Sequence, residues 1–490
     1  MTSSPAQTCI TLFTLNDVYQ MDPVDAGKRG GLGRVATLLG RLRADHPNSL
    51  FILAGDTLAP SLESKLTEGA HMVEAWNALG IQLATLGNHE FDFGPDVLAK
   101  RIAESKFPWI VGNVYQNDAP YANLKPYEIQ TWDGIKVGFF GVLTPETLGI
   151  SKAGAEITIE DPLKAAQRAV KALKKQKVDV IVAVTHLSLG EDILLARQVP
   201  GIDLIVGGHE HTLIELLVGK VPIFKVGSDA RNLGHIQLTV NQKTRKLDNI
   251  QWEVIPVTDA TEVDPAFEQM MVKHRERLNE QFGQTVAHTQ VVLNAKQAAV
   301  RTQENNTANL IADAYRELLK TDIGWINGGA IRANRDFAAG AITYRDVYSL
   351  LPFGNKIYKL SLSGRQIKSA IEHSLGQLTR YTEPGGFIQV SGMRFEADLK
   401  RPAGDRILKL ERSDGTPIQW DKSYTVAMPD FIARGGNGYD LLNEDMFIDM
   451  ELQHDATLSD AELFASYLEA LMAEHRPIAP QVEGRMVIHR

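Results

Sequence analysis

The strongest signal in this 490-residue sequence is Leu86-Gly87-Asn88-His89-Glu90, which stands between Gly55-Asp56 upstream and Gly207-Gly208-His209-Glu210-His211 downstream. Asp, Asn and His supply the oxygen and nitrogen donors that first-row divalent ions prefer. Thiolate ligand sets are excluded because the chain has one cysteine, Cys9. These segments together predict a metal site.

An apolar run precedes each polar cluster. Residues 50–53 precede Asp56, residues 204–206 precede His209, residues 180–184 precede His186 and residues 10–15 precede Asp17. Apolar runs that end at glycine or a polar ligand predict buried strands of an α/β fold, with the site at their carboxyl ends. We expect five strand ends to deliver the following candidates: Asp17, Asp56, Asn88 with His89, His186, and His209 with His211.

The composition predicts a globular protein with two domains. The chain is 44% hydrophobic and 23% charged, and it is too long for one ordinary core. Its net charge of -9 and pI near 5.8 argue against nucleic acid as a partner, because duplex binding needs a clustered basic face. The sequence leaves the oligomeric state open, a monomer included.

The amino-terminal residues predict neither a signal peptide nor a membrane partner. Residues 1–7 contain no Lys or Arg, and the apolar stretch that follows leads directly into Asp17. No apolar run approaches the roughly 20 residues that cross a bilayer. We expect a cytoplasmic protein, or a periplasmic or secreted one if a signal has been removed.

The chain divides into two domains and a connector. In residues 1–255, strand-like runs alternate with helical stretches at 33–45, 67–79 and 161–175, as in an α/β domain. Residues 234–240 resemble an edge strand, and polar segments follow them. Residues 256–283 are assigned as a connector helix and hinge, although a solvated helix explains them equally well. Residues 284–490 mix strands at 356–362 and 406–410 with helices at 309–319 and 459–474.

The order of the polar clusters resembles the calcineurin-like metallophosphoesterase superfamily. The resemblance implies an N-terminal β-sandwich flanked by helices, which binds two divalent ions (Zn, Mn, Mg, Co or Fe). It implies that Asp56 bridges the ions, that Asp17 and His211 hold the first, and that Asn88, His186 and His209 hold the second. Two ions about 3.5 Å apart can bind the attacking and leaving oxygens of phosphoryl transfer.

The same resemblance gives His89 a catalytic role, either to stabilise charge in the transition state or to protonate the leaving oxygen. Asp92 would orient that imidazole, as triad carboxylates do.

Tyr19 departs from the family pattern. The family usually has Asp-x-His where this chain has Asp17-Val18-Tyr19. One interpretation is a phenolate ligand, which suits ferric iron. The other, which we favour from the sequence, makes Tyr19 a packing residue near the site and leaves the first ion with fewer protein ligands.

Three segments of the second half restrict the class of possible substrates. They are Asn327-Gly328-Gly329-Ala330-Ile331-Arg332, Leu351-Pro352-Phe353-Gly354-Asn355 and residues 431–439. They resemble the C-terminal domain of the 5′-nucleotidase family. The resemblance implies an α/β substrate-binding domain in which Phe353 and Phe431 clamp the base, Asn327 contacts it, and Gly329 belongs to the same binding segment. Arg301 and Arg332 would bind the phosphate end, where a guanidinium suits bidentate contact.

Asn437 departs from the family turn, where many members carry Asp to accept hydrogen bonds from the ribose hydroxyls. An amide accepts such bonds more weakly than a carboxylate.

The resemblance implies a 5′-nucleotidase that hydrolyses nucleoside 5′-monophosphates. The alternatives within the class are a nucleotide-sugar, nucleoside diphosphate or 2′,3′-cyclic nucleotide phosphoesterase. A nucleotide-binding module with weakened catalysis is the alternative outside it, and Tyr19 favours that interpretation.

Overall fold

The computed structural model describes residues 7–25, 27–442 and 459–490. The chain forms two compact units, residues 1–276 and residues 277–490. The boundary falls inside a helix at Pro265–Phe282, where the sequence predicts the connector. The hinge role of this segment stays a prediction. Each helix in the described part of the chain falls short, in length or apolar character, of what a bilayer crossing requires.

The first unit is built from alternating strands and helices. Its strands are β1 Gln7–Leu15, β2 Ser49–Ala54, β3 Leu83–Thr85, β4 Trp109–Ile110, β5 Val114–Gln116, β6 Ala119–Pro120, β7 Tyr127–Trp132, β8 Ile135–Leu143, β9 Ile157–Ile159, β10 Val180–His186, β11 Leu204–Gly207, β12 Leu213–Val218, β13 Val221–Val226, β14 Asn232–Asn241 and β15 Lys246–Pro256. Its helices are α1 Leu32–Asp45, α2 Leu62–Thr67, α3 Ala70–Leu79, α4 Pro95–Glu104, α5 Thr147–Ile150, α6 Pro162–Lys175, α7 Leu189–Gln198 and the boundary helix α8 Pro265–Phe282.

Two six-stranded sheets form a sandwich in this unit, in the orders β15-β14-β1-β2-β3-β4 and β12-β13-β11-β10-β8-β7. Apolar side chains from both sheets, such as Leu12, Ile52, Val182 and Leu204, make one buried core between them. Separate apolar clusters pack α1, α3 and α4 on the first sheet and α6 and α7 on the second. The predicted β-sandwich flanked by helices is confirmed.

The parallel strands of the two sheets end at matching positions. Leu15 of β1 pairs with Leu53 of β2, and Ala54 pairs with Thr85 of β3. In the other sheet Thr185 of β10 pairs with Gly207 of β11. Because parallel neighbours in register end at the same edge, the polar residues that follow them are brought close together.

Two local predictions in the first unit were wrong. Residues 67–79 do not form one helix, since the left-handed backbone at Glu68 (φ 49°) and Gly69 (φ 82°) separates α2 from α3. Residues 234–240 lie in β14, which is an interior strand, and the edge belongs to β15. In β15 the half-buried Ile250, Trp252 and Val254 alternate with the exposed Gln251 and Glu253, as in a strand that has one face open to water.

The second unit is also α/β. Its strands are β16 Thr285–Thr289, β17 Leu293–Asn294, β18 Ile323–Asn327, β19 Asp336–Phe337, β20 Gly340–Thr343, β21 Ile357–Ser363, β22 Ile388–Ser391, β23 Met393–Asp398, β24 Ile407–Arg412, β25 Ser423–Pro429 and β26 Met486–His489. Its helices are α9 Gln297–Val300, α10 Asn306–Leu318, α11 Tyr344–Leu350, α12 Gly364–Gln377, α13 Asp430–Ala433 and α14 Asp460–Ala473.

A four-stranded mixed sheet, β21-β25-β18-β22, and a three-stranded sheet, β24-β23-β26, organise this unit. Their buried residues form one cluster with α12, including Trp325, Leu360, Ile371 and Phe395. The short 3₁₀ segments Gly328–Ala330 and Gly436–Gly438 follow β18 and α13 respectively.

Candidate functional site

The predicted metal ligands of the first unit converge at the carboxyl edge of the two sheets. Asp17 and Asp56 follow β1 and β2, and both adopt a left-handed backbone, with φ of 52° and 56°. His186 is the last residue of β10, and His209 follows β11 by two positions. Aspartate tolerates the left-handed region better than most residues, and here that conformation ends each strand at a ligand.

A buried cluster of three donors forms the centre of the site. Asp17, Asp56 and His186 are at most 1% exposed, and each offers a ligand atom within 4.8 Å of the others. His186 Nε2 lies 3.3 Å from Asp56 Oδ2, yet it has no hydrogen-bond partner in the described part of the chain. A buried imidazole nitrogen without a hydrogen bond, aimed at carboxylates, is what a divalent ion requires of a ligand.

The remaining predicted ligands lie beside this cluster in pairs. His211 Nε2 is 3.4 Å from Asp17 Oδ1, and His209 Nδ1 is 3.1 Å from Asn88 Oδ1. The rings of His186 and His209 are 5.2 Å apart. The structure therefore brings all six together: Asp17, Asp56, Asn88, His186, His209 and His211.

Two glycines let the backbone approach the ligands. A Cβ at Gly87 would collide with the Asp56 carboxylate, and a Cβ at Gly208 would lie within 2.9 Å of Asp17 Oδ2 and His186 Nδ1. Close approach of backbone to a ligand site is a common reason for glycine at such positions. The glycines of the sequence clusters are therefore part of the site.

The candidate ligands strongly shift one another's pKa values. Burial alone would lower the pKa of His186, but the charges of Asp56 and Asp17 raise it to about 10. Burial would raise the pKa of Asp56, but His186 and His89 lower it well below its ordinary value. Burial also lowers the pKa of His209 to about 3. The site thus concentrates buried negative charge next to imidazole rings, a combination that suits a bound cation.

His89 and Asp92 form the predicted catalytic pair. His89 Nδ1 lies 2.9 Å from Asp92 Oδ2, and its Nε2 is 4.0 Å from Asp56 Oδ2. The His89 side chain is 13% exposed, in contrast to His186, which is fully buried. A hydrogen bond from one ring nitrogen to a carboxylate fixes the tautomer and leaves the other nitrogen for chemistry.

Tyr19 directs its hydroxyl into the ligand cluster. The oxygen lies 2.7 Å from His211 Nε2, 3.1 Å from Asp56 Oδ2 and 3.3 Å from Asp17 Oδ1. The side chain is 5% exposed. The phenol therefore contacts the donors assigned to the first ion.

Glu90 is a site residue whose role the sequence analysis missed. Its buried carboxylate accepts hydrogen bonds from the backbone N–H groups of Asp56 (2.9 Å), Thr57 (2.6 Å) and Gly87 (2.5 Å). These bonds hold the left-handed turn that carries Asp56. The signal was present, because Glu90 belongs to the quoted cluster, but its partners at Asp56 and Thr57 are more than thirty residues away.

Lys225 is a second missed residue. It is 1% exposed, and its Nζ donates to the carbonyls of Leu187 and Gly208, both at 2.8 Å, and contacts Asp192 and Glu210. Burial opposes its charge, but the two carboxylates raise the pKa of Lys225. It joins the segments that carry His186 and His209. A lone lysine inside the apolar run of β13 was the available signal.

In the second unit, four of the predicted substrate residues surround residues 383–385. Asn327 Nδ2 lies 3.3 Å from both Gly385 O and Asn437 Oδ1. The N–H of Gly329 donates to Gly385 O at 2.8 Å, and Arg301 Nη1 donates to Glu383 O at 3.3 Å. Asn437 has a left-handed backbone, with φ of 56°. Arg301, Asn327, Gly329 and Asn437 are thus assembled around one loop.

The two predicted aromatic rings occupy adjoining segments. The Arg332 guanidinium lies 5.7 Å from the centre of the Phe353 ring. Lys356, three residues later, exchanges hydrogen bonds with Asp430, the residue before Phe431. The Phe431 ring packs against Gly436, where a Cβ would collide with it. Both rings are half-buried, which leaves part of each surface for a ligand.

Comparisons with known proteins agree with this arrangement. The calcineurin-like phosphoesterase family model matches residues 11–213, and the model of the 5′-nucleotidase C-terminal domain matches residues 285–444. The 5′-nucleotidase of Homo sapiens is 29% identical over 530 residues, which cover 97% of this chain and 90% of the human protein. A crystal structure of a 5′-nucleotidase precursor from Thermus thermophilus superposes with a TM-score of 0.87 at 31% identity, covering 99% of this chain and 100% of that one.

The trifunctional nucleotide phosphoesterase protein YfkN of Bacillus subtilis (strain 168) is 30% identical over 526 residues, which cover 97% of this chain. This chain spans 35% of the length of YfkN.

Proposed function

Because this chain belongs to the 5′-nucleotidase family, we propose that it hydrolyses nucleoside 5′-monophosphates to nucleosides and inorganic phosphate. One observation carries the proposal: Asp17, Asp56 and His186 converge in a buried cluster, and His186 Nε2 has no hydrogen-bond partner in the described residues. Such a donor set fits divalent cations, which phosphoester hydrolysis uses.

We assign two ions to the donors of the first unit. Asp17, Asp56 and His211 would hold the first, and Asp56, Asn88, His186 and His209 the second, with Asp56 shared. The close pairs His211–Asp17 and His209–Asn88 support this division. When bound, the ions supply Lewis acidity: they polarise the phosphate and lower the pKa of water.

His89 acts on the phosphate ester as a charge stabiliser or as the acid for the leaving oxygen. Its Nδ1 is held by Asp92 at 2.9 Å, so Nε2 is the nitrogen that faces the reaction. Asp92 is a positioning residue, because it reaches the substrate only through the imidazole. Glu90 and Lys225 hold the ligand-bearing loops in place from inside the fold.

The second unit selects the nucleotide. We propose that the base stacks between Phe353 and Phe431, that Asn327 contacts the base, and that Asn437 faces the ribose. Base–aromatic stacking contributes about 1–3 kcal/mol per base and tolerates different bases. Arg301 and Arg332 carry the positive charge that a phosphate requires, while Gly329 lets the backbone approach Gly385, where a Cβ would lie 2.8 Å from the Gly385 carbonyl oxygen.

A phosphate-release panel tests the proposal. The purified chain is loaded with Mn²⁺ or Zn²⁺ and assayed on AMP, GMP, CMP and UMP, with p-nitrophenyl phosphate as a generic ester. We expect the monophosphates to be cleaved faster than the generic ester, and a chelator to abolish release. An Asp56→Asn variant serves as the matched control, because it removes one anionic ligand at almost constant volume.

Other outcomes would change the assignment. YfkN, whose name includes three phosphoesterase functions, favours adding nucleoside diphosphates, nucleotide sugars and 2′,3′-cyclic nucleotides to the panel. Faster cleavage of one of these would replace the monophosphate assignment. Nucleotide binding without any phosphate release would make the chain a binding module. A generic ester cleaved fastest would leave a metallophosphoesterase with another substrate.

The location expected from the sequence, cytoplasmic or, if a signal has been removed, periplasmic or secreted, stays a prediction, which fractionation of the producing cells tests. Light scattering of the purified chain measures its oligomeric state.

A further inference from the structure

The hydroxyl of Tyr19 is surrounded by donor atoms. Its oxygen has three neighbours: His211 Nε2 at 2.7 Å, Asp56 Oδ2 at 3.1 Å and Asp17 Oδ1 at 3.3 Å. His211 Nε2 is in turn 3.4 Å from Asp17 Oδ1. These four atoms come from three segments of the chain and meet in a pocket where both carboxylates are at most 1% exposed.

Hydrogen bonding by the phenol explains this arrangement only in part. A phenol has one proton to donate, and carboxylate oxygens can only accept when they are ionised. If the phenol donates its proton to Asp56, the phenol oxygen and the Asp17 oxygen face each other with no hydrogen between them. If it donates to Asp17, the phenol oxygen and the Asp56 oxygen do so instead. One of the two contacts between the phenol and a carboxylate therefore lacks a hydrogen between its oxygens, and a cation bound among the three oxygens would remove that repulsion.

The separations match those of ligands on a single ion. Zinc and similar ions bind imidazole nitrogen and carboxylate oxygen at about 2.0–2.2 Å. Ligands at that distance, arranged tetrahedrally or octahedrally, lie roughly 2.8–3.6 Å from one another. The measured separations run from 2.7 to 3.4 Å. The phenol oxygen thus lies where a further ligand of an ion bound by Asp17, Asp56 and His211 would lie.

We propose that Tyr19 is a ligand of the first ion through its phenolic oxygen, together with Asp17, Asp56 and His211. The O–H bond breaks as the O–metal bond forms, and the proton passes to solvent, as for other protic ligands. Three anionic oxygens on one ion favour a trivalent, hard cation such as Fe³⁺ at this position over a divalent one. This inference rests on the proposed two-ion site, and it replaces the packing role that the sequence favoured.

Metal stoichiometry tests the inference without measuring activity. The variants are Tyr19→Phe, which removes only the oxygen, and Tyr19→His, which supplies an imidazole instead. Tyr115→Phe is the matched control, because Tyr115 hydrogen-bonds to Gly112 O and Glu160 in another part of the same unit. Each protein is dialysed against limiting Zn²⁺ or Fe³⁺, and the bound ions are counted by mass spectrometry. Thermal melting verifies that each variant is folded.

We expect two ions in the wild type, Tyr115→Phe and Tyr19→His, and a first-ion affinity in Tyr19→Phe that is at least about tenfold lower. Two ions bound to Tyr19→Phe with wild-type affinity would overturn the proposal. If Tyr19→Phe does not fold, Tyr19→His and the wild type still test the proposal through the visible absorption of the Fe³⁺-loaded proteins.

A second measurement detects the phenolate directly. With Fe³⁺ in the first site, phenolate ligation produces a charge-transfer band in the visible range. We expect the band in the wild type and Tyr115→Phe, and its loss in Tyr19→His although that variant holds two ions. A fully loaded wild type without the band would overturn the proposal. A wild type that shows the band but releases no phosphate from any nucleotide would keep the ligand assignment and refute the proposed function.

Discussion

Replacement of His89 by alanine should leave both ions bound and slow phosphate release from nucleoside monophosphates by roughly 10²–10⁴-fold, the range for a positioned acid or charge stabiliser. The structure separates His89 from the ligands in two respects. Its Nε2 is 4.0 Å from the nearest Asp56 oxygen, whereas that of His186 is 3.3 Å away, and its side chain retains some exposure. A residue in this position can meet substrate without holding an ion.

The contribution of Asp92 can be worked out from its one contact with His89. Asp92→Asn removes the charge from the 2.9 Å hydrogen bond to Nδ1 and keeps the volume. A hydrogen bond to a charged group contributes about 1.5–3 kcal/mol. Because about 1.36 kcal/mol corresponds to tenfold in rate, kcat should fall roughly 10- to 150-fold. If Asp92 acts only through the imidazole, the double variant His89→Ala/Asp92→Asn should be no slower than His89→Ala alone.

The assay compares kcat and KM for AMP and for p-nitrophenyl phosphate in the three variants, alongside their metal content. An acid that protonates the leaving oxygen matters less for nitrophenolate, which leaves readily, so the His89→Ala loss would be smaller for the generic ester. A charge stabiliser would give equal losses for both substrates. Loss of an ion from His89→Ala, or a double variant whose loss is the product of the two single losses, would refute the reasoning.

Three further predictions concern the second unit and the stability of the first. Phe431→Ala should raise KM for monophosphates and leave p-nitrophenyl phosphate hydrolysis unchanged, because base stacking is lost in ground and transition states alike; equal effects on both substrates would contradict the clamp. Asn437→Asp should increase the ratio of kcat/KM for AMP to that for 2′-deoxy-AMP, since a carboxylate accepts hydroxyl hydrogen bonds more strongly; an unchanged ratio would place the ribose elsewhere. Burial and the nearby charge of His274 lower the pKa of His71 from 6.5 to about 3, so the unfolded chain takes up a proton that the fold excludes as the pH falls from about 6.5 towards 3. Between pH 8 and pH 5 the His71→Gln variant should therefore lose about 2 kcal/mol less of its free energy of unfolding than the wild type, as measured by chemical denaturation of metal-depleted protein. Parallel pH profiles for the two proteins would show that His71 is not responsible.

The convergence of Asp17, Asp56 and His186 follows from local signals in the sequence. Each of the three lies at or just after the end of an apolar run, and parallel strands in register bring their ends to one edge. This is why the three could be grouped together without knowledge of the strand order. The predicted helices that were confirmed, such as α6, also have local signals, with Asp161 as the N-cap, Pro162 in the first turn and apolar residues at helical spacing.

The parts that the sequence could not predict depend on distant partners. Glu90 binds the backbone of Asp56 and Thr57, more than thirty positions away, and Lys225 binds carbonyls at Leu187 and Gly208. Glu90 and Lys225 are single charged residues that belong to no repeating helix or strand pattern, so the sequence gives no signal from which these contacts could be predicted. Tyr19 is the clearest case. Compared with the family pattern Asp-x-His, the sequence lacks an imidazole ligand at this position. Only the position of the Tyr19 hydroxyl beside Asp56 and His211 suggests that the phenol oxygen takes the place of the imidazole nitrogen.

Charge balance links the stability of the first unit to its chemistry. Asp17 and Asp56 are buried, and the charges of their carboxylates raise the pKa of His186 to about 10. An imidazole can bind metal through Nε2 only when that nitrogen is unprotonated. An entering ion must therefore displace the proton and supply the positive charge instead. Because such an ion binds the folded unit and not the unfolded chain, occupancy stabilises the folded unit by about 2.7 kcal/mol at a free ion concentration one hundred times Kd. The buried carboxylates thus make the site select cations, and folding stability and catalytic competence depend on the same ions.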